Sequence, residues 1–360
     1  MRAPGSNLAP AAVAVIALAT SSDAEGTLRS AVEASSLASR MTIGAAVNEG
    51  YFDADDGSYS QTAASQYNLV TAENSCKFGA TEKVQNQFSF DACDQVLGFA
   101  EENNMAFRGH NLCWGVYNPS WVDDGGFSSA ELTRILQNHI NNTLTHYKGK
   151  AVAWDVVNEA IEDSAPYGLK KNTWNNITAS GDATDYIDVA FAAARAADPD
   201  TLLFYNDYNV ASMDGWSAGK SDAMFSMVKG MRDRGVPIDG VGLQMHVGCG
   251  YDLVDGVRAN MQRYSDIGVQ THVTELDLTC EQSASYDCTW SGEVEEQQGR
   301  LYADLLQACV DVEGCTNFET WGFTDAHTWI KGDSHPLPFY DDYSEKKAVA
   351  MMMDVLASAN

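Results

Sequence analysis

From residue 42 onward, short runs of β-branched and apolar residues alternate with longer stretches whose apolar positions recur every three or four residues. The short runs have strand character, and the longer ones carry the stripe of a helix packed on one face. Eight such pairs can be counted, with strands predicted at Thr42–Val47, Leu69–Thr71, Ala106–His110, Ala151–Val157, Leu202–Tyr205, Gly240–Gln244, Val269–Glu275 and Phe318–Trp321. Several stay apolar at consecutive positions, as strands covered on both faces do.

The helix after the third strand is the clearest, because Leu132, Ile135, Leu136, Ile140, Leu144 and Tyr147 fall on one stripe. Ser128-Ser129-Ala130-Glu131 is a capping-box pattern at its start, and Gly149 stands where a left-handed residue would close its last turn. His139 and His146 are read as surface positions of this helix, and His272 as an alternating strand position; none of the three is given a function. Further helices are predicted over Asp182–Ala197, Ser221–Arg234, Leu253–Asp266, Val294–Val310 and Ser344–Leu356.

Eight strand–helix units favour a closed barrel over an open sheet, so the expected fold class is α/β, a single (β/α)8 TIM barrel. No Gly-Ser or Pro linker and no low-complexity tract divides the chain after about residue 40, so residues 28–360 are read as one catalytic barrel domain.

The apolar stretch Leu8–Ala19 would span about 18 Å as a helix, against about 30 Å of hydrocarbon, and is too short to anchor the chain in a membrane. With Arg2 before it and Ala17-Leu18-Ala19 closing it, residues 1–19 read as a secretory signal peptide whose cleavage point the residues leave open. Secretion agrees with eight cysteines, none in a C-x-x-C pair. Cys280 with Cys288 and Cys309 with Cys315 are close enough in sequence for local disulfides, whereas the pairing of Cys76, Cys93, Cys113 and Cys249 stays open, Cys113 reading as a buried thiol. Asn141-Asn142-Thr143 and Asn176-Ile177-Thr178 are glycosylation acceptors that fit the same destination in a eukaryote.

Fifty acidic against twenty-two basic residues leave a formal charge of −28, a field that repels phosphate backbones and anionic headgroups. Neither nucleic acid nor a membrane is an expected partner, and a monomer is expected.

In a barrel of this kind the chemistry sits where strands end. Here those ends carry Glu73, Asn74 and Lys77; His110 with Trp114 beyond; Asn158 and Glu159; Asn206 to Asn209; Gln244 and His246; Glu275 and Asp277; and Trp321 followed by Trp329. Glu159 and Glu275 end the fourth and seventh strands and can face each other across the barrel mouth. Glycoside hydrolysis needs such a pair, one carboxyl to protonate the departing oxygen and another to stabilise positive charge on the sugar. Asn158 can offer an amide to a sugar hydroxyl, and His246 with Asp277 can hold Glu275 ionised and oriented. Trp114, Trp321 and Trp329 suit the apolar face of a pyranose, whereas Trp154 lies within a strand and reads as core.

These residues resemble the xylanases of glycoside hydrolase family 10 along roughly residues 42–357. The resemblance is carried by Val70-Thr71-Ala72-Glu73-Asn74 with Lys77, Arg108-Gly109-His110, Trp154-Asp155-Val156-Val157-Asn158-Glu159-Ala160, Asn206-Asp207-Tyr208-Asn209, Gly242-Leu243-Gln244-Met245-His246, Thr274-Glu275-Leu276-Asp277, and Trp321-Gly322-Phe323-Thr324-Asp325 followed by Trp329. It implies an eight-stranded barrel that cleaves β-1,4-linked xylan with retention, without cofactor or metal. Glu159 would be the acid/base and Glu275 the nucleophile, tuned by His246 and Asp277, with Gln244 near the same sugar. Glu73, Asn74, Lys77, His110 and Trp114 would line the glycone side, Trp321 and Trp329 would cover the bound sugars, and Tyr208 would meet the aglycone. The Cys309–Cys315 pair is similar to a disulfide of secreted eukaryotic members.

The chain departs from the family after the third strand, where Trp114-Gly115-Val116-Tyr117 replaces the usual Trp-His-Ser-Gln. That removes an imidazole and an amide from the glycone side, at a cost of about 1 kcal/mol for a lost sugar hydrogen bond, and Tyr117 can compensate by stacking. Two other readings remain: a two-glutamate glycanase acting on glucan, mannan or mixed-linkage xylan, and a catalytically impaired polysaccharide-binding wall protein. A metal-dependent hydrolase on His110 and His246 would need a His-x-His or His-Glu-x-x-His pairing, which the chain lacks.

Overall fold

The structure is a computed structural model that describes residues 26–178, 185–280, 288–332 and 334–359. The expected signal peptide, residues 1–19, lies outside the described residues.

The strands are β1 (Thr42–Val47), β2 (Leu69–Ala72), β3 (Ala106–Trp114), β4 (Ala151–Asn158), β5 (Leu202–Asp207), β6 (Gly240–Leu243), β7 (His246–Gly248), β8 (Gln270–Thr279) and β9 (Cys315–Thr320). All neighbours pair in parallel, β1 pairs with β9, and β6 pairs with β8, which closes an eight-stranded barrel without β7. Helices of the connecting segments pack on the outer face, so that both sides of the sheet are buried.

Each predicted strand is present, with ends that differ where packing extends or stops the ladder. The strand expected over Gly240–Gln244 stops at Leu243, and Met245 adopts a φ of +63°. The short β7 then pairs with the outer part of β8, setting His246 opposite Asp277. The last strand begins at Cys315 and ends at Thr320, one residue short of Trp321.

The predicted capping box is formed: the Ser128 hydroxyl accepts from the Glu131 amide, and Glu131 accepts from the Ser128 amide at 2.9 Å. The helix runs Ser129–Tyr147, and Gly149 has a φ of +74° beyond its end. His139 corrects the surface reading: it is fully buried, its ring stacked on Phe78 with centroids 3.5 Å apart and Nδ1 3.0 Å from Glu82 Oε2. It lies seven positions after Leu132 and four after Ile135, on the same stripe, so helical phase rather than residue type decides its side. His146 is on the surface as expected, facing Asp94 at 2.8 Å.

Trp154 is fully buried. The barrel interior also holds a charged layer in which Arg108 reaches Asp155 and His272, with Nη1 2.7 Å from Nδ1 of His272. Cys280–Cys288 and Cys309–Cys315 are disulfides, and Cys76 pairs with Cys93; Cys113 and Cys249 are buried thiols.

Candidate active site

The site is assembled by residues that leave the carboxyl ends of the strands. Asn158, the last residue of β4, is in register with Trp114 of β3 and Asn206 of β5. The next residue, Glu159, turns into the left-handed region at φ +54° while its amide still donates to the Asn206 carbonyl at 2.9 Å. This conformation costs roughly 1–2 kcal/mol for a residue with a Cβ, and it persists where the surroundings hold it.

Those surroundings are a continuous polar network. Glu159 Oε1 accepts from Asn158 Nδ2 at 3.2 Å and from Gln244 Nε2 at 3.1 Å. Asn206 Nδ2 donates to Asn158 Oδ1 at 2.9 Å and to Glu275 Oε1 at 2.7 Å, and its own Oδ1 accepts from Thr274 at 2.7 Å. Two amide side chains, Asn158 and Asn206, therefore bridge the two carboxyl groups. On the far side of Glu275, Oε2 lies 3.1 Å from His246 Nε2, and His246 Nδ1 lies 2.8 Å from Asp277 Oδ2, which also accepts from Trp329 Nε1 at 3.0 Å.

The two carboxyls are driven in opposite directions. Burial pushes the Glu159 carboxyl up; the Gln244 amide pulls it back, while the charges of Glu275 and Asp207 push it further, and the net direction is upward. Burial also acts to raise Glu275, but the hydrogen bond from His246, the fields of His110 and His246, and the Asn206 amide outweigh it and hold Glu275 below the usual carboxylate range. Burial works against a charged His246, yet Asp277 and Glu275 overcome it and raise the imidazole to about 10. The pair thus consists of one carboxyl poised to carry a proton and one poised to be ionised.

A second cluster lies across the mouth, on the loops after β2, β3 and β9. Lys77 Nζ donates to Asn74 Oδ1 at 2.8 Å and sits 5.1 Å from the Trp114 ring centre, 5.4 Å from Tyr117 and 5.9 Å from Trp321. Burial lowers its pKa, opposed by Glu275, Glu159 and Glu73. Glu73 is buried and raised by that burial, with Asn48 Nδ2 3.3 Å from its Oε2. His110 packs edge-on to Trp321 and meets Asp155 at 2.9 Å. Trp321 is largely buried, whereas Trp329 is 55% exposed over His246.

Tyr208 sits beyond Glu159, among Lys170, Asp163 and Lys220. Its hydroxyl donates to Asp163 at 2.6 Å and accepts from Lys170 Nζ at 3.0 Å, and Lys220 stands 3.7 Å from its ring centre. In the departing segment, a methyl on Gly115 would meet the Asn172 side chain at 2.8 Å, so a larger residue there requires Asn172, on the loop after β4, to move. Tyr117 is 40% exposed and its ring lies nearly parallel to Trp114, 6.5 Å between centroids.

The residues anticipated from sequence are all found around this mouth. The sequence by itself points to no role for Asn206 or Asn48. The Asn206 signal was present, since it ends its strand as Asn158 does, but only the register between β4 and β5 shows that its amide reaches both neighbours.

The model of the family described as Glycosyl hydrolase family 10 matches residues 31–355. The chain is 31% identical to endo-1,4-beta-xylanase B of Thermotoga neapolitana, over 84% of this chain and 85% of that protein. It is 33% identical to endo-1,4-beta-xylanase A of Phanerodontia chrysosporium, over 87% of this chain and 76% of that protein. Among solved structures, native xylanase 10B from Thermotoga maritima superposes with a TM-score of 0.83 at 31% identity, covering 92% of this chain and 98% of that one. Xylanase 10B from Thermotoga petrophila in complex with xylobiose gives 0.82 at 30% identity, covering 92% and 97%.

Proposed function

The chain belongs to glycosyl hydrolase family 10 and is a glycoside hydrolase; on that premise we propose that it is a secreted, retaining endo-1,4-β-xylanase. The observation that carries the mechanism is the opposed environment of two carboxyls joined through Asn158 and Asn206. Glu275, kept ionised, attacks the anomeric carbon while protonated Glu159 delivers its proton to the leaving oxygen. The product of that step is a glycosyl ester on Glu275. Esterification removes a negative charge beside Glu159, whose carboxyl then becomes more acidic and draws a proton from the incoming water, whose attack releases the sugar.

Asn158 and Gln244 hold Glu159 and offer amides to the sugar at the cleavage point. Glu73, Asn74, Lys77, His110 and Trp114 form the glycone wall, Trp321 and Trp329 cover the bound sugars, and Tyr208 meets the aglycone. Three disulfides support an oxidising destination, and among the described residues no helix is long and apolar enough to cross a membrane. Of the two acceptor triplets, Asn176 is exposed together with Thr178, whereas Thr143 is buried, so Asn176 is the better placed for a glycan.

The test is hydrolysis of purified β-1,4-xylan, glucan and mannan, with the anomeric configuration of the products followed by NMR from the first turnovers. The expected result is rapid shortening of xylan to oligosaccharides that appear first as β-anomers. Initial α-anomers would remove the glycosyl-enzyme, and preference for glucan or mannan would remove the substrate assignment.

A further inference from the structure

The carboxyl of Glu159 is carried on a backbone conformation that a residue with a Cβ leaves readily, at a φ of +54°. Asn158 and Gln244 grip the carboxyl itself. The backbone is held by other groups. The Glu159 amide donates to the Asn206 carbonyl, and the next residue, Ala160, is fixed at both ends: its carbonyl accepts from the Lys170 amide at 2.7 Å, and its amide donates to the hydroxyl of Tyr205 at 3.0 Å.

Tyr205 lies on β5 and is fully buried. Its hydroxyl accepts from Ala160 and donates to Oδ2 of Asp207 at 2.6 Å. A hydroxyl has one proton to give, so a carboxylate on one side and an amide on the other fix which way it points. Away from water, bonds linked in this way polarise and strengthen one another.

Asp207 anchors the arrangement. Its Oδ1 accepts from the Tyr208 amide and from Lys220 Nζ, each at 2.9 Å, and Oδ2 lies 3.4 Å from the Ile161 amide besides taking the Tyr205 hydroxyl. Donors on both oxygens suit an ionised carboxylate, which only accepts. Lys220 is buried and also meets Asp163 at 2.8 Å, the carboxylate to which the Tyr208 hydroxyl donates. One network therefore joins the peptide after Glu159 to the aromatic ring on the aglycone side. Glu275 is held separately, by Asn206 and His246.

We propose that Tyr205 is a positioning residue for proton transfer: braced by Asp207, its hydroxyl holds the Ala160 peptide and, through it, keeps the Glu159 carboxyl at the leaving oxygen. The inference rests on the reading of Glu159 as the acid/base of a retaining hydrolase. It confines the effect of Tyr205 to the steps in which Glu159 gives or takes a proton and leaves the attack by Glu275 untouched.

The experiment uses Tyr205→Phe, which keeps the ring and removes only the hydroxyl. Its kcat on xylan should fall about tenfold to a hundredfold with KM little changed, the range for a displaced general acid/base. On an aryl β-xylobioside with a strongly acidic phenol, whose departure needs no proton, phenolate release in a single turnover with enzyme in excess should keep the wild-type rate. Steady turnover of that substrate should be slowed, because water needs a base, and azide should restore it: the anion attacks the anomeric carbon and frees the Glu275 carboxylate without giving up a proton. Should Tyr205→Phe not fold, Asp207→Asn decides, since it weakens the acceptor behind the hydroxyl and should give the same split. Wild-type hydrolysis of xylan by Tyr205→Phe would overturn the proposal, as would an equal loss of xylan hydrolysis and of single-turnover phenolate release in the folded variant. Xylan products of the wild type that appear first as α-anomers would instead overturn the retaining assignment on which the inference rests.

Discussion

Nε2 of His246 lies 3.1 Å from Oε2 of Glu275, on a ring whose other nitrogen faces Asp277 at 2.8 Å. With Asp277 behind it, His246 is raised to about 10 despite its burial, so at neutral pH it is an imidazolium that donates from both nitrogens. That charge is part of what holds Glu275 below the usual carboxylate range against the effect of burial.

The pH dependence of kcat/KM should report this contact. The nucleophile must be ionised, so activity on the acid side is lost as pH falls through the pKa of Glu275. Replacing His246 by Asn, or Asp277 by Asn, weakens the positive charge at Glu275 and raises that pKa, so the acid limb of xylan hydrolysis should move to higher pH in both variants. An acid limb unmoved in both would remove His246 from the tuning of Glu275.

Glu275→Gln and Glu159→Gln should each lower hydrolysis of xylan by about a hundredfold or more, the usual range for loss of a positioned acid, base or nucleophile. An aryl xyloside with a strongly acidic phenol separates their roles, because such a leaving group departs without a proton. Bond cleavage in that substrate, followed as a burst of phenolate, should survive in Glu159→Gln and vanish in Glu275→Gln. The reverse pattern would exchange the two assignments.

Tyr117 replaces the amide usual in the family with a ring set 5.4 Å from the Lys77 ammonium and nearly parallel to Trp114. Tyr117→Ala should raise KM for xylan oligosaccharides about fivefold, equivalent to about 1 kcal/mol of stacking, with kcat little changed. A loss confined to kcat would place Tyr117 in the chemical step rather than in sugar binding.

Glu319, in the barrel interior, is raised to about 8 by burial, with Arg108 and hydrogen bonds from Thr71 and Asn317 opposing that shift. Between its ordinary pKa of 4.5 and about 8 the unfolded chain ionises this carboxyl while the folded chain keeps it protonated. The unfolded state therefore binds fewer protons, and Glu319 makes stability fall as pH rises through that window. In Glu319→Gln the pH dependence of the urea midpoint between pH 5 and pH 8 should be flatter than in wild type; an unchanged slope would mean that Glu319 is already ionised in the folded barrel.

Much of this was readable along the chain. The alternation of short and long apolar runs predicts eight strand–helix units, and the capping box at Ser128 and Glu131 forms as its residues require. The polar residues at strand ends, Glu159 and Glu275 among them, emerge at one mouth because parallel strands of a barrel all finish on the same side. Disulfides that close short loops, Cys280–Cys288 and Cys309–Cys315, follow from proximity in sequence. These features depend on backbone periodicity and on neighbours a few residues away.

The remainder depends on which remote elements touch, for which the local pattern carries no cue. Cys76 meets Cys93 only because the helix Asp91–Glu102 packs beside the segment after β2. His139 turns inward through the phase of its helix and the presence of Glu82 and Phe78. Asn206 becomes the link between Glu275 and Asn158 through the registers of β4, β5 and β6, and His246 reaches Glu275 because Met245 takes a left-handed conformation and starts a separate short strand. Sequence alone determined the units of the barrel and the side on which their polar ends appear. The opposed acidities of Glu159 and Glu275 were decided by tertiary structure, since burial and hydrogen bonds from distant strands, not the residues beside each glutamate, set the cost of its charge.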